Sequence, residues 1–184
     1  MKERPILFSG PMVRAILEEK KTQTRRVMIE KYVKLLPLLG PADLATHCPY
    51  GQVGDKLWVR EKLEHSLKGT PTRYAADGCP VMREGASIDW PFKTSPLPSI
   101  LMPRWASRIL FEITEVRVQR VQEITPEDAV AEGAEHMPAA NLREERLTVS
   151  QIVFAGFWDS MNAKRGYGWE RNPWVWAITF KRVR

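Results

Sequence analysis

Lys21, Thr24 and Arg26 are the residues whose types and spacing first suggest chemistry. They lie in AILEEKKTQTRR, residues 15–26, where a helical run passes into a cluster of lysine, threonine and arginine. Lys21 and Thr24 share one face if the last helical turn persists that far, because they are spaced i, i+3. The alternative is a solvated basic helix end, since the helix dipole stabilises cations there. We predict that KTQTRR lies at the C-terminal end of the first helix or in the loop beyond it.

The composition is that of a globular protein with a substantial core. Of the 184 residues, 43% are hydrophobic, and the length suits one domain. The formal net charge of +6 favours an anionic partner such as a nucleic acid or a nucleotide. The sequence contains no run of about 18 apolar residues and no signal-peptide pattern, so we expect a cytoplasmic protein without a membrane partner.

The cysteines and histidines do not form a recognisable ligand pattern. Cys48 and Cys79 are too few for a disulfide framework. His47 adjoins Cys48, but adjacent ligands without a second pair are poor evidence for zinc, and the other histidines are scattered. We therefore predict no metal site.

Hydrophobic periodicity predicts several strands and a few helices. The apolar run at residues 5–8 predicts a buried strand, and SGP at residues 9–11 is typical of a helix start. Alternation over residues 109–119 slips in phase at Thr114-Glu115, which indicates a bulge or a turn between two strands. Further elements are predicted as a strand at 57–61, a helix capped by Thr125, a helix containing residues 152–161 and a terminal strand in PWVWAITFKRVR. Strands are not regularly separated by helices, so we predict an α+β fold, a small mixed β-barrel or curved sheet flanked by helices.

A long segment in the middle of the chain has a different composition. Six of the fourteen prolines fall within residues 69–103, and little periodicity survives there. We predict one domain over residues 1–184 with a long irregular insertion at about 62–105. Insertions of this length are often functional lids, so it is a hypothesis that this one shapes or covers a pocket.

Several motifs together resemble the ASCH domain, a branch of the PUA-like β-barrel superfamily. Its signature, G-x-K-x-x-T-x-R, is matched by Lys21, Thr24 and Arg26, while Glu19 replaces the usual glycine. GDKLWV, EVRVQRV, WVWAITFKRV and AVAEG, which contains Glu132, resemble later segments of the family. The whole chain is most similar to longer, phage- and prophage-type members. If the glycine is left-handed in the family, Glu19 would strain this loop by about 1 kcal/mol.

The resemblance implies a PUA-like barrel with a pocket that accepts a nucleoside or RNA. Small bacterial members hydrolyse the amide of N4-acetylcytidine to cytidine and a carboxylate. Carried over to this sequence, the catalytic set is Lys21, Thr24 and Glu132, with Arg26 as a pocket cation and no metal or organic cofactor. The expected partner is a modified cytosine nucleoside or base, and RNA is a second candidate.

The chemistry leaves two protonation schemes open. Thr24 needs a base to take its proton, and Lys21 can be that base only if its pKa falls several units below about 10.4. A carboxylate beside Lys21 opposes such a change. Either Lys21 stays charged and stabilises the oxyanion while Glu132 activates Thr24 or a water, or Glu132 carries a proton to the leaving amine.

Four further residues are candidate substrate contacts, with core packing as the alternative for Phe8 and a glycine-rich surface turn as the alternative for the segment that contains Trp169. Phe8 could flank a base, Trp58 and Glu61 lie on opposite faces of one strand, and Trp169 lies among cations in NAKRGYGWERNPW. The rival function is a non-catalytic RNA-binding module. A ribonuclease is a third possibility, although no histidine pair suited to acid–base cleavage is visible.

Overall fold

The computed structural model describes residues 1–65, 70–89, 95–136 and 147–184. Two parts of the predicted insertion, residues 66–69 and 90–94, lie outside the described residues. The strands are β1 (Glu3–Leu7), β2 (Gln23–Val27), β3 (Lys56–Arg60), β4 (Leu63–Glu64), β5 (Arg73–Tyr74), β6 (Met82–Arg83), β7 (Ala86–Ser87), β8 (Leu110–Arg120) and β9 (Trp174–Arg182). The α-helices are α1 (Gly10–Leu17), α2 (Glu30–Val33), α3 (Leu36–Ala45), α4 (Pro126–Ala131) and α5 (Val149–Asn162). None of the described helices is long and apolar enough to cross a bilayer.

Five strands form the main sheet in the order β1-β3-β8-β9-β2. The β1–β3 pair is parallel and the other three pairs are antiparallel, so the α+β prediction is confirmed. The edge strands β1 and β2 lie close to each other. The Nη2 of Arg26 on β2 donates a hydrogen bond of 2.6 Å to the Leu7 carbonyl on β1. Among the described residues the backbone pairing ends at these two strands, and full closure into a barrel stays a prediction.

Two apolar clusters cover the two faces of the sheet. The first contains Phe8, Phe111 and Ile178 and is packed by α1 and α3. The second contains Phe154 and Val175 and is packed by α4 and α5. The neighbouring β9 residues Val175 and Trp176 lie in the second and the first cluster respectively, as the predicted terminal strand with both faces covered requires.

Helix α1 begins and ends where its residue types dictate. Ser9 has an extended conformation at the N-cap, and Pro11 follows in the first turn, where its missing N–H costs nothing. The helix stops after Leu17, and Glu19 adopts the left-handed conformation with φ 60°. The left-handed conformation on which the expected strain depends is therefore present at Glu19, and the size of the strain stays a prediction.

The prediction that KTQTRR lies at the helix end or in the loop beyond it is confirmed for Lys21 and Thr22, which lie between α1 and β2, but was wrong for the rest of the segment. Gln23–Val27 is strand β2, paired antiparallel with β9 so that Thr24 lies opposite Ile178 and Arg25 opposite Ala177. Pairing with an apolar partner strand far along the chain outweighs the weak local preference of this polar segment. Lys21 and Thr24 therefore do not share a helical face, and Thr24 and Arg25 point to opposite faces of the sheet.

The phase slip in the central strand is a bulge, not a turn. Strand β8 runs unbroken from Leu110 to Arg120, and its register with β9 shifts between Ile113 and Glu115. The predicted start of α4 is also confirmed, since the Thr125 hydroxyl accepts a hydrogen bond of 3.1 Å from the Asp128 N–H. Helices α2 and α3, in a segment without clear periodicity, were not predicted.

The described parts of the insertion are more ordered than predicted. They contain the short pairs β4–β5 and β6–β7 and a small apolar core that includes Leu63, Tyr74 and Met102. Ion pairing of Arg104 with Glu3 at 2.9 Å joins this segment to β1. This ion pair therefore holds the insertion against the β1 edge of the main sheet.

Candidate active site between the two cores

Lys21 and Glu132 form a buried ion pair although they are 111 residues apart in sequence. The Lys21 Nζ lies 2.6 Å from Oε2 of Glu132, and the two side chains are 0% and 2% exposed. Nζ also donates to the backbone carbonyls of Gln23, at 2.7 Å, and of Glu132, at 2.8 Å. Three acceptors match the three N–H groups of an ammonium, so the geometry is that of charged Lys21.

The termini of two elements bring this pair together. Lys21 lies in the turn between α1 and β2, and Glu132 caps the C-terminal end of α4. Gly133 follows with φ 81°, and a Cβ built on it would lie 3.2 Å from the Ala15 Cβ and 3.4 Å from the Lys21 Cβ. A residue without a side chain is therefore required where α4 packs against α1.

Burial and the carboxylate act on Lys21 in opposite directions. Desolvation is the larger effect and lowers the pKa of Lys21, while the charge and hydrogen bond of Glu132 oppose the decrease. Arg25 and Arg26 add like charges that lower the Lys21 pKa further.

Arg25 holds the other oxygen of the Glu132 carboxylate. Its Nη1 lies 3.3 Å from Oε1 of Glu132, and its Nη2 lies 2.6 Å from Oδ2 of Asp128. Asp128 is also bonded by Arg117 at 2.9 Å and by the Gln23 amide at 3.0 Å. The Glu132 carboxylate is thus fixed on both oxygens within a network of charged side chains.

An aromatic ring and a second cation lie on the opposite face of β2. The Phe8 ring centroid is 5.7 Å from Nζ of Lys21 and 5.0 Å from Cζ of Arg26. Burial lowers the pKa of Arg26, and the Arg26 Nε is buried without a hydrogen-bond partner among the residues that the structure describes. Phe8 and Arg26, two of the predicted substrate contacts, therefore do lie beside Lys21.

Thr24 is buried on the same face of β2 as Arg26, because residues i and i+2 of a strand point the same way. In the described part of the chain its hydroxyl is not hydrogen-bonded to Lys21 or Glu132. The structure brings Lys21 and Glu132 into contact, while Thr24 lies one strand position from the carbonyl of Gln23 that Lys21 binds.

A cavity of about 330 Å³ adjoins this cluster. Its walls include Ile16, Phe111 and Phe180, and Lys21 is the member of the predicted catalytic set that lines it. The cavity lies between the end of α1 and the paired strands β8 and β9. A small acyl or base-sized group is of a size that fits such a space.

Three predicted substrate contacts lie elsewhere. Trp58 is buried with its ring 4.7 Å from the Arg60 guanidinium. Glu61 is buried and accepts two hydrogen bonds from Arg108, at 2.9 and 2.8 Å, and burial raises the Glu61 pKa against the effect of that cation. Trp169 is buried in the second cluster, so all three side chains pack within the protein.

The sequence argument missed Arg25 and Asp128. Period-two alternation over QTRRV would have placed Gln23 and Arg25 on one face, had this segment been assigned to a strand. Asp128 was interpreted only as part of the α4 cap. Among the residues that the structure describes, no group of three or more histidine, cysteine, aspartate or glutamate side chains is arranged to hold a metal ion.

Comparisons with known proteins identify little. No protein-family model matches the chain, and no curated protein matches it. Among solved structures, the chain is similar to the one described as a high-resolution crystal structure of an ASCH domain from Lactobacillus crispatus JV V101. The TM-score is 0.47 and the identity 14%, over 99% of this chain and 80% of that chain. A likeness this distant does not establish the family of the protein.

Proposed function

We propose that this protein is an amidohydrolase that cleaves the N4-acyl amide of acylated cytosine nucleosides or bases. The observation that carries the proposal is the Lys21–Glu132 contact, in which two residues 111 positions apart meet at 2.6 Å beside a cavity. A buried ion pair adds little net stability, because removing two charges from water costs about as much as their attraction returns. Ionisable groups with shifted pKa values in clefts are, in contrast, typical of functional sites. The resemblance of the Lys21, Thr24 and Arg26 spacing to the ASCH signature supports the choice of substrate.

The hydrogen bonds of Lys21 favour one of the two protonation schemes. An ammonium with three acceptors has no free lone pair, so Lys21 acts as a cation and not as a base. In the proposed reaction the acyl oxygen replaces one of the two backbone acceptors of Nζ. Lys21 then stabilises the negative charge that develops on that oxygen.

Glu132 moves the proton in this scheme. The oxygen of Thr24 or of a water attacks the acyl carbon, and its proton passes to the Glu132 carboxylate. The bond between the acyl carbon and N4 then breaks, and the proton passes to N4 of the leaving cytosine. If Thr24 is the nucleophile, a water hydrolyses the acyl-enzyme in a second step. The products are a cytosine compound and a carboxylate.

Arg26 and Phe8 provide a surface for the base. The Arg26 guanidinium lies 5.0 Å from the Phe8 ring centroid, and within the described parts of the chain its buried Nε has no hydrogen-bond partner. A pyrimidine has a π face that stacks on such a ring and carbonyl oxygen that accepts from a guanidinium. Arg26→Gln is therefore expected to raise KM more than it lowers kcat.

The test is the release of cytidine from N4-acetylcytidine and N4-benzoylcytidine by the purified protein. Wild type is expected to turn over at least one substrate, and Glu132→Gln to lower kcat at least about 100-fold. Arg108→Gln is the matched control, because it breaks a different buried ion pair, with Glu61, on the insertion side. The control should keep wild-type kcat in its folded fraction. Absence of turnover in folded wild type, together with RNA binding, would replace the proposal with the RNA-binding module.

A further inference from the structure

Arg25 is a charged residue whose side chain is fully buried. Its side chain is 0% exposed, and Cζ lies 5.8 Å from the centroid of the Phe154 ring in the second apolar cluster. A guanidinium in such surroundings requires charged or polar partners. Nη1 donates to Glu132 and to the Gln23 amide oxygen, and Nη2 donates to Asp128.

The contacts of Arg25 fix how the Glu132 carboxylate is oriented. Lys21 binds Oε2 and Arg25 binds Oε1, so rotation of the carboxylate would break one contact or the other. Arg25 itself is restrained by Asp128, which its Nη2 contacts at 2.6 Å. Rigid support of this kind is what a proton-transferring group needs, because displacement by about 1 Å can cost about 100-fold in rate.

We propose that Arg25 is a positioning residue that holds the Glu132 carboxylate against Lys21 during the proposed hydrolysis. The assignment rests on the proposed function. Arg25 faces the second apolar cluster, whereas Phe8 and Arg26 lie on the other face of β2, so Arg25 acts through Glu132 and not on the substrate.

A structural role alone predicts a different set of effects. If Arg25 only stabilises the fold, Arg25→Gln lowers the folded fraction but leaves kcat per folded molecule unchanged. A positioning role predicts a decrease in kcat of about 10- to 100-fold with little change in KM. Arg25→Lys should recover part of this decrease but not all of it, because an ammonium restores the charge but cannot reach both carboxylates at once.

Arg117→Gln is the matched control. It removes a cation from Asp128 but none from Glu132, so it perturbs the same network one contact further away. Its kcat is expected to stay within about threefold of wild type, by the same distance argument. A decrease equal to that of Arg25→Gln would overturn the assignment of the effect to Glu132.

A measurement independent of turnover completes the test. The three acceptors of Lys21 slow the exchange of its ammonium protons, which should give a resolved Lys21 signal in nitrogen–proton NMR spectra. The signal should shift or vanish in Arg25→Gln and persist in Arg117→Gln, and an unchanged signal in Arg25→Gln would refute the positioning role. Its absence from wild type would contradict the geometry on which the proposal stands. If wild type shows no turnover, the proposed hydrolase function is rejected. The Lys21 NMR signal would still show whether Arg25 orients the Glu132 carboxylate.

Discussion

Replacing Glu132 by glutamine leaves the Lys21 ammonium buried without its counter-charge. Two backbone carbonyls, of Gln23 and of residue 132 itself, remain as acceptors within 2.8 Å, but neither is charged. Removing one partner of a buried ion pair typically costs about 3–5 kcal/mol. We expect a decrease of this size in the free energy of unfolding, measured by urea denaturation at pH 7.

The Lys21→Met variant is expected to be destabilised less. When Lys21 is removed, the Glu132 carboxylate still has Arg25 as a cationic partner at 3.3 Å. When Glu132 is removed, Lys21 has no second carboxylate among its described partners. The double variant Lys21→Met/Glu132→Gln buries neither charge, so it should be at least about 1 kcal/mol more stable than Glu132→Gln alone. A double variant that loses the sum of the two single effects would refute this reasoning.

Turnover separates the role of the pair in stability from its role in chemistry. The double variant should regain stability without regaining hydrolysis of N4-acetylcytidine. If hydrolysis recovers together with stability, the Lys21–Glu132 pair holds the fold and does not carry the reaction.

Further predictions concern Thr24, acid stability and two backbone positions. In the scheme with Thr24 as the nucleophile, Thr24→Val should lower kcat at least about 100-fold while the free energy of unfolding changes by less than about 1 kcal/mol, since the strand keeps a β-branched residue. Hydrogen bonds from Lys2 and Arg4 lower the pKa of Asp55 to about 2, so Asp55 contributes stability that is present above pH 3.8 and lost as pH falls through about 2. Asp55→Asn should therefore reduce the change in unfolding midpoint between pH 4 and pH 2. Calorimetry should show that Glu19→Gly raises stability by up to about 1 kcal/mol by relieving the left-handed strain, whereas Gly133→Ala lowers it by at least about 1 kcal/mol.

The sequence predicted best those features that depend on neighbouring residues. The phase slip at Thr114-Glu115 marks the bulge in β8, and the Thr125-Pro126 start of α4 follows from capping chemistry. Both are local signals, in which side-chain direction or a single hydrogen bond determines the structure.

The features that were predicted wrongly or missed depend on contacts far along the chain. Strand β2 forms because it pairs with β9, and a polar QTRRV segment carries no local sign of that partner. The family resemblance, and not spacing, suggested that Lys21 and Glu132 act together, since nothing in one sequence relates residues so far apart. Arg25 was overlooked because its partners become visible only when β2 and α4 are brought together.

Trp169 illustrates how a pattern can fit two outcomes. Aromatic residues interleaved with cations are typical of nucleic-acid contacts, yet the backbone N–H of Trp169 donates to the Asp159 carboxylate at 2.6 Å and the ring packs against Phe154. The same composition therefore also occurs in a turn after α5 whose aromatic side chain packs into the second cluster. Only burial distinguishes the two interpretations.

Hydrolysis of N4-acetylcytidine in water enriched in oxygen-18 tests the central claim most directly. Attack on the acyl carbon places one labelled oxygen in the released acetate and leaves the cytidine unlabelled, which is the result we predict. Labelled uridine with acetamide would mean that C4 of the base is attacked instead. That product, or the absence of any reaction by folded wild-type protein, would contradict the proposed amidohydrolase.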